Sequence, residues 1–174
     1  MVKAIFPGTF DPIHYGHIDI ALRASKLFDE LIIAVYDRPL KNLLFSPDAR
    51  IDLVKKCFSN ENNIHIVGYN NLTVDFCKEQ GAKVIVRGLR VFSDFEYEFR
   101  MALANKRLAK DIEVVALITS EKHTFLSSTT VKEIAALSGD ISTMVPPHVN
   151  NQLVEKMKLI GDVKRMDQHT SLRD

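Results

Sequence analysis

Two histidines and a glycine occupy the stretch TFDPIHYGHI, residues 9–18, where a short apolar strand is predicted to turn into a helix. His14 and His17 are three residues apart, so both imidazoles can face one point if the turn is already helical. Gly8 permits a tight turn, and Gly16 removes a side chain where a ligand could approach the helix. The free amides and positive dipole end of that helix favour an anion by about 0.3–1 kcal/mol. The spacing is equally consistent with a phosphate site and with a capped turn that carries two incidental histidines.

Two further stretches carry groups that bind anions. VRGLR, residues 86–90, places two arginines around a glycine, which suits bidentate recognition of a phosphate, although a pair of solvated surface arginines would have the same sequence. FLSSTT, residues 125–130, places four hydroxyls at a predicted helix start, where an ordinary serine cap is the alternative. Lys41, taken singly, could be a solvated lysine.

Several enzyme classes are excluded by the motifs that the sequence lacks. No G-x-G-x-x-G follows the first predicted strand, and no G-x-x-x-x-G-K-[ST] occurs, which argues against dinucleotide oxidoreductases and P-loop enzymes. The two histidines lack the spacing and central glutamate of a zinc peptidase, and no third ligand completes a metal site. The GTF turn is not a nucleophile elbow.

The composition is that of one folded domain. The chain has 174 residues, of which 46% are hydrophobic and 26% charged, and its formal net charge is +1. So small a charge provides no general attraction to nucleic acid or to an anionic membrane, and we expect neither as a partner. Cys57 and Cys77 fit no metal or redox spacing, and no apolar run approaches the ~18 residues of a membrane span. We therefore expect a soluble, cytoplasmic protein.

Short apolar runs alternate with amphipathic segments along the chain. The predicted strands cover residues 3–6, 31–37, 64–69, 83–88 and 113–119. The predicted helices cover about 16–28, a segment that starts at 47, and about 73–80, 93–110, 128–137 and 149–160. The start signals are Ser46 before Pro47 and a capping box from Ser93 to Glu96. Five repeats of strand and helix predict an α/β fold, a Rossmann-like doubly wound five-stranded parallel sheet with helices on both faces. Residues 1–161 form a single domain in this interpretation, and 162–174 form a polar, flexible tail.

Ligands of open parallel sheets bind outside the carboxyl ends of the strands. In this chain those ends are followed by imidazoles, cations and hydroxyls, namely Thr9, His14, His17, Arg38, Lys41, Arg87, Arg90 and the segment SEKHTFLSSTT at 120–130. Several anion-binding groups at one edge of a nearly neutral protein predict a polyphosphate ligand.

Three stretches then identify a family by resemblance. GTFDPIHYGHIDI, VIVRGLRVFSDFEYEFRMALANKRL and FLSSTTVKEIA closely resemble the bacterial phosphopantetheine adenylyltransferases, and the resemblance runs from about Lys3 to the last helix. The first and third stretches alone are typical of the wider nucleotidyltransferase superfamily with its H/T-x-G-H motif. RGLRVFSDFEYE narrows the resemblance to this family.

The resemblance implies a reaction and its participants. AMP would pass from ATP to 4′-phosphopantetheine by in-line attack of the acceptor phosphate on the α-phosphorus, giving dephospho-coenzyme A and pyrophosphate in the penultimate step of coenzyme A synthesis. Mg²⁺ would be the cofactor, carried mainly by the ATP phosphates rather than by protein ligands. The family usually assembles as a homohexamer of two trimers.

The resemblance also implies roles for individual residues. His17, Lys41 and Arg90 would be catalytic, with His17 stabilising the transition state. Phosphopantetheine would be bound by Thr9, Lys41, Thr73 and Arg87. ATP would be bound by Thr9, Phe10, His14, His17, Gly88, Leu89, Arg90, Glu98, His123, Thr124, Phe125, Leu126, Ser127, Ser128 and Thr129.

Two alternatives remain open at this point. Another transferase of the superfamily would adenylate nicotinamide mononucleotide or cytidylylate an alcohol phosphate. A nucleotide-binding regulator would keep the fold and lose turnover, although the joint presence of His17, Lys41, Arg87 and Arg90 argues against it.

Overall fold

Five parallel strands form the centre of the chain in a computed structural model that describes residues 1–37 and 43–170. The strands lie in the order β3-β2-β1-β4-β5, which confirms the predicted Rossmann-like doubly wound sheet. Their bounds are β1 Lys3–Gly8, β2 Glu30–Tyr36, β3 Ile64–Tyr69, β4 Val84–Leu89 and β5 Glu113–Ile118. β1 lies in the middle, so the turn that follows it stands at the point where the chain changes direction across the sheet.

The helices agree with the prediction in number and order, and differ at their ends. They are α1 Tyr15–Ala24, α2 Pro47–Cys57, α3 Thr73–Glu79, α4 Phe92–Leu108, α5 Ser128–Ala136 and α6 Pro147–Thr170, with a 3₁₀ turn at Glu121–His123. α6 continues about ten residues beyond its predicted end near residue 160 and includes most of the segment 162–174 that the sequence assigns to a tail. The apolar periodicity ends near residue 160, but lysine, arginine, methionine and glutamine are good helix formers and can extend a helix without it. None of the helices within the described residues is long and apolar enough to cross a membrane.

Both faces of the central strands β1 and β2 are buried, as their continuous apolar runs predict, whereas the edge strand β5 has no buried residue. Along β2, Leu31, Ile33 and Val35 pack with α1, α2, α5 and α6 on one face. Ile32 and Ala34 point to the other face, against α3 and the segment after α4. α4 itself contributes no buried residue. The central strands are therefore rigid supports, and their carboxyl ends hold the following turns in defined places.

The helix-start signals have different outcomes. Ser46 caps α2, since its Oγ accepts a hydrogen bond from the Ala49 amide at 3.3 Å. The prediction of a capping box at Ser93 is wrong. α4 begins one residue earlier, at Phe92, with Val91 at the cap position and no hydrogen bond from a capping side chain. The acidic residue of that first turn, Asp94, instead accepts a hydrogen bond from the backbone amide of Arg90 at 3.0 Å. A carboxylate within the first turn thus replaces the expected cap.

These two serines provide a matched pair for a stability measurement. We expect Ser46→Ala to lower the free energy of unfolding by about 1 kcal/mol, because an orphan amide of α2 loses its acceptor. Ser93→Ala should change it by less than about 0.5 kcal/mol, because Ser93 is exposed and caps nothing. Urea denaturation followed by circular dichroism measures both values. Equal losses for the two variants would contradict this assignment of the caps.

Candidate active site

The turn between β1 and α1 is shaped by an aromatic ring. Phe10 has a left-handed backbone with φ of +49° and is 1% exposed. A Cβ on Gly8 would lie 3.0 Å from that ring, so the glycine makes room for Phe10. A Cβ on Gly16 would lie 3.0 Å from the imidazole of His14. The space that Gly16 leaves is therefore filled first by His14, and not directly by a ligand as the sequence suggested.

The two histidines of the turn lie together. Their rings are stacked, with centroids 3.7 Å apart and an interplanar angle of 24°. The backbone amide of His14 donates to Nδ1 of His17 across 3.4 Å. An Nδ1 that accepts a hydrogen bond carries no proton, which assigns the proton of the neutral ring to Nε2. His17 thus offers a single N–H donor whose orientation is set by the start of α1.

Both imidazoles are neutral at physiological pH. Burial, followed by the nearby charges of Arg90 and Arg87, lowers the pKa of His17 from 6.5 to about 3. Burial also lowers the pKa of His14 well below its usual value, with contributions from His17, Arg90 and His123. His14 is buried, and its Nδ1 has no hydrogen-bond partner among the described residues. The site therefore combines permanent arginine charges with neutral imidazoles.

The depressed pKa of His17 gives a direct prediction for titration by NMR. The side-chain resonance of His17 in the free protein should not titrate between about pH 7.5 and 5, because its folded pKa lies below that range. As the pH falls, the unfolded chain takes up a proton on His17 before the folded protein does. The stability that the neutral buried ring contributes is therefore present above pH 6.5 and is lost as the pH falls towards 3. Comparison with His17→Gln assigns the resonance. A midpoint near 6.5 in the folded protein would contradict the prediction.

Two cavities open beside this turn at the carboxyl edge of the sheet. The first, of about 330 Å³, is lined by Phe6, Pro7, Gly8, Thr9, Phe10, His14, Gly16, His17, Ile20, Arg87, Gly88, Arg90, Asp94, Glu98, Thr119, Ser127, Ser128 and Thr129. The second, of about 440 Å³, is lined by Pro7, Gly8, Thr9, Tyr36, Tyr69, Asn71, Leu72, Thr73, Ile85, Arg87, Tyr97, Glu98, Met101, Ala102, Asn105 and Val114. Five residues belong to both linings and form the wall between them: Pro7, Gly8, Thr9, Arg87 and Glu98.

Helix α4 positions Arg87, near the end of β4, and Arg90, directly after it. Arg87 donates to both carboxylate oxygens of Glu98, at 2.7 and 2.5 Å, and to the carbonyl of Pro7 at 2.9 Å. Arg90 binds Asp94 through Nε and Nη2, and donates through Nη1 to the carbonyl of Leu126 at 2.8 Å. Their side chains are only 29% and 34% exposed, so the alternative of solvated surface arginines is wrong. Glu98, for which the resemblance implies a nucleotide contact, is the bidentate partner of Arg87.

The hydroxyl stretch at the start of α5 caps that helix and also lines the first cavity. Ser127 caps the helix, accepting from the Thr130 amide at 3.0 Å, and Ser128 donates from Oγ to the carbonyl of Pro12 at 2.9 Å. Ser127, Ser128 and Thr129 also line the first cavity. The amides of Ser128 and Thr129 lie in the first helical turn, where no intrahelical acceptor is within reach. The cap formed by Ser127 therefore leaves the backbone amides of Ser128 and Thr129 as hydrogen-bond donors at the wall of the first cavity.

The remaining residues implied by the resemblance are distributed unevenly. Gly88 lines the first cavity, and Thr73 lines the second with its Oγ1 3.0 Å from the hydroxyl of Tyr69. Outside both linings lie Leu89, His123, Thr124, Phe125 and Leu126. Of these, Leu126 is buried and Phe125 is 60% exposed. Lys41 and Arg38 lie outside the described residues.

Other residues of the site are not among those that the sequence singled out. Tyr36, Tyr69 and Tyr97 line the second cavity, and the first two stand at the carboxyl ends of β2 and β3, a signal that could have found them. Asp11 and Arg50 lie beneath the turn and are each 1% exposed. No local spacing indicates this pair, because most of their hydrogen-bond partners are distant in sequence: Thr9 is 41 residues from Arg50, and Leu44 is 33 residues from Asp11.

This arrangement is suited to binding anions and stabilising developing charge. One oriented imidazole N–H, two arginines and a helix start converge on the first cavity. The thiols are not nucleophiles for it, because burial raises the pKa of Cys57 to about 12 and of Cys77 to about 11, and both lie outside the two linings. A polyphosphate in the first cavity and a second anion at the shared wall would lie side by side.

Comparison with known proteins identifies the family. Residues 5–134 match the model of the cytidylyltransferase-like family. Over 153 residues the chain is 48% identical to a phosphopantetheine adenylyltransferase of Roseiflexus castenholzii (strain DSM 13941 / HLO8), covering 88% of this chain and 96% of that relative. The chain therefore belongs to the cytidylyltransferase-like family, in the branch that contains the phosphopantetheine adenylyltransferases.

Proposed function

We propose that this chain transfers AMP from ATP to 4′-phosphopantetheine, giving dephospho-coenzyme A and pyrophosphate. The observation that carries the proposal is the pair of adjoining cavities, whose shared wall presents Thr9 and Arg87 to both sides. The relative in Roseiflexus is named for this activity. Two phosphorylated substrates that must react with each other need such a pair of sites.

In the proposed reaction the acceptor phosphate is itself the nucleophile. One of its oxygens forms a bond to the α-phosphorus of ATP while the bond from that phosphorus to the α,β-bridging oxygen breaks, and pyrophosphate leaves with the bonding electrons. His17 donates its Nε2 proton in a hydrogen bond to the α-phosphate, whose charge is redistributed in the transition state. Thr9 and Arg87 hold the acceptor phosphate, Arg90 contacts the triphosphate, and we propose Lys41 as a further cation. Alignment alone can contribute roughly 7–11 kcal/mol.

The pantetheine arm fits the second cavity by its chemistry. The walls combine the rings of Tyr69 and Tyr97 and the side chain of Met101 with the polar groups of Asn71 and Thr73. A chain of amides and methylene groups needs this mixture of apolar surface and a few hydrogen-bonding groups.

Mg²⁺ is proposed to enter with ATP. Mg²⁺ prefers oxygen ligands, in particular carboxylates. Asp94 and Glu98, two carboxylates of the first cavity, are paired with Arg90 and Arg87. The part of the chain that the structure describes contains no group of three or more side chains suited to a metal ion. These residues do not fit a protein-held metal, so the ATP phosphates are the proposed ligands.

The outer face of α4 supports the proposal of a homohexamer of two trimers. Phe92, Phe95 and Phe99 succeed one another along this helix, with adjacent rings 6.2 and 5.8 Å apart, and they are 86%, 49% and 52% exposed. Ile118 at the end of the edge strand β5 is 74% exposed. A contiguous apolar surface of this kind is typical of an interface between proteins. Sedimentation of the wild type and of Phe95→Glu tests the proposed assembly. We expect the wild type to be a hexamer and Phe95→Glu to be a smaller species. A monomeric wild type would contradict the proposal.

We propose a cytoplasmic location. Both cysteines are free thiols, which is typical of a reducing compartment. The substrates, ATP and phosphopantetheine, are intracellular metabolites in this proposal.

An assay of acceptor-dependent pyrophosphate release tests the proposed function. The purified protein is incubated with Mg²⁺ and ATP, and phosphopantetheine, nicotinamide mononucleotide or no acceptor is added. Of the three conditions, we expect rapid pyrophosphate formation only when phosphopantetheine is the acceptor. Turnover with nicotinamide mononucleotide instead would assign the chain to another transferase of the family, and tight ATP binding without turnover would indicate a regulator.

A further inference from the structure

A buried guanidinium lies beneath the active-site turn and contacts neither cavity. Arg50 of α2 is 1% exposed. Its Nη1 donates to the carbonyl of Thr9 at 2.7 Å and to the carbonyl of Tyr36 at 2.8 Å, and its Nε donates to the carbonyl of Phe45 at 3.3 Å. Arg50 therefore joins the end of β1, the end of β2 and the segment before α2 through backbone atoms alone.

Burial of a charged side chain lowers the stability of a protein unless the charge is paired and hydrogen-bonded. A well-packed apolar side chain is often at least as stabilising as a buried ion, so burial of an arginine is weak evidence for a role in stability. Asp11 stands nearby, 1% exposed, and accepts from the amides of Leu44 and Phe45 and from Nζ of Lys132 at 2.8 Å. The two charged groups together hold backbone from three elements around one turn.

The contacts of Arg50 lead directly to the reacting groups. Thr9 lines both cavities, and its carbonyl is one end of the bridge that Arg50 makes. The next residue, Phe10, has φ of +49° and packs edge-to-face on the ring of His17, with centroids 5.0 Å apart. A left-handed phenylalanine persists only where its surroundings enforce it. Movement of the Thr9 carbonyl would therefore also move the ring that supports His17.

We propose that Arg50 is a positioning residue for adenylyl transfer, which holds Thr9 and, through Phe10, the imidazole of His17 in the geometry that the reaction needs. This inference rests on the proposed function for its effect on turnover. Its structural part, the placement of His17, can be measured without turnover. Misplacement of a reacting group by about 1 Å can cost about 10²-fold in rate.

The test compares Arg50→Met and Arg50→Lys with Lys56→Met, an exposed position on the same helix. We expect Arg50→Met to fold, to lose about 10²-fold in kcat, and to keep the KM for ATP within about threefold. The NMR resonance of the His17 side chain should shift in the same variant. Arg50→Lys can donate to the same carbonyls and should recover part of kcat and of the resonance position. Lys56→Met should match the wild type in both.

Several outcomes would overturn the inference. They are a folded Arg50→Met with wild-type kcat, an unmoved His17 resonance, or a loss confined to KM. If Arg50→Met does not fold, Arg50→Lys is the deciding variant. A reduced kcat and a shifted His17 resonance at unchanged thermal stability would support the positioning role of Arg50. Wild-type values of kcat and of the resonance would refute it. Should the wild type show no acceptor-dependent turnover, the proposed function fails while the His17 resonance still tests the placement.

Discussion

Replacing His17 by alanine is expected to lower kcat by about 10²–10³-fold, equivalent to roughly 2.7–4 kcal/mol of transition-state stabilisation. The physical reason is the single Nε2 proton, which is oriented by the bond from the His14 amide to Nδ1 and stays available because the ring is neutral. A donor that acts mainly on the transition state contributes little to substrate binding. The KM for ATP should therefore change by less than about threefold. Steady-state kinetics with both substrates measures both effects.

His17→Gln is the matched control for this experiment. The side-chain amide nitrogen of glutamine lies at nearly the position of the imidazole Nε2, so this variant should recover part of the lost rate. Circular dichroism and calorimetric ATP binding establish that each variant is folded and binds nucleotide. Wild-type turnover by His17→Ala would remove His17 from the mechanism, and a loss seen only in KM would make it a binding residue.

Replacing Arg87 by methionine is expected to have the second largest effect. The guanidinium separates the two cavities and neutralises Glu98, whose side chain is only 14% exposed. The variant loses a charge-assisted hydrogen bond to phosphate, worth roughly 1.5–3 kcal/mol, and leaves a carboxylate unpaired beside two anionic substrates. The KM for phosphopantetheine should rise by about 10- to 100-fold, with a fall in kcat as well.

A double variant separates the two causes. Glu98→Gln in the Arg87→Met background removes the uncompensated negative charge, so part of the lost affinity should return. The cycle of wild type, two single variants and the double variant gives the coupling between the residues. Strictly additive losses would show that Glu98 does not act through Arg87. A double variant weaker than Arg87→Met would indicate that Glu98 contacts substrate itself.

The sheet and its functional edge follow from local features of the sequence. Runs such as LIIAV at 31–35 are apolar on successive residues and are buried on both faces, because Ile32 and Ile33 pack on opposite sides of the sheet. The imidazoles after β1 and the arginines at the end of β4 meet because parallel strands end at one edge. The spacing of His14 and His17 predicts proximity only for a helical turn; the rings do stack, but His14 has an extended backbone at the cap position of α1.

Other parts of the site depend on contacts that no local pattern encodes. The partners of Asp11 are Leu44, Phe45 and Lys132, and the last is 121 residues away. Pairing of Arg90 with Asp94 is an i,i+4 contact, but the competing capping pattern of Ser93 and Glu96 obscured it. The role of Gly16 also depends on such a contact, because the ring of His14 from the preceding turn fills the space beside this glycine.

The central claim is that AMP passes directly from ATP to the acceptor in the cavity lined by His17, with no covalent intermediate on the protein. ATP made chiral at the α-phosphorus by isotopic or sulfur substitution tests this claim most directly. A single in-line displacement inverts the configuration of that phosphorus, and we expect inversion in the dephospho-coenzyme A product. Retention would require two displacements through an adenylyl-protein intermediate, and would contradict the account.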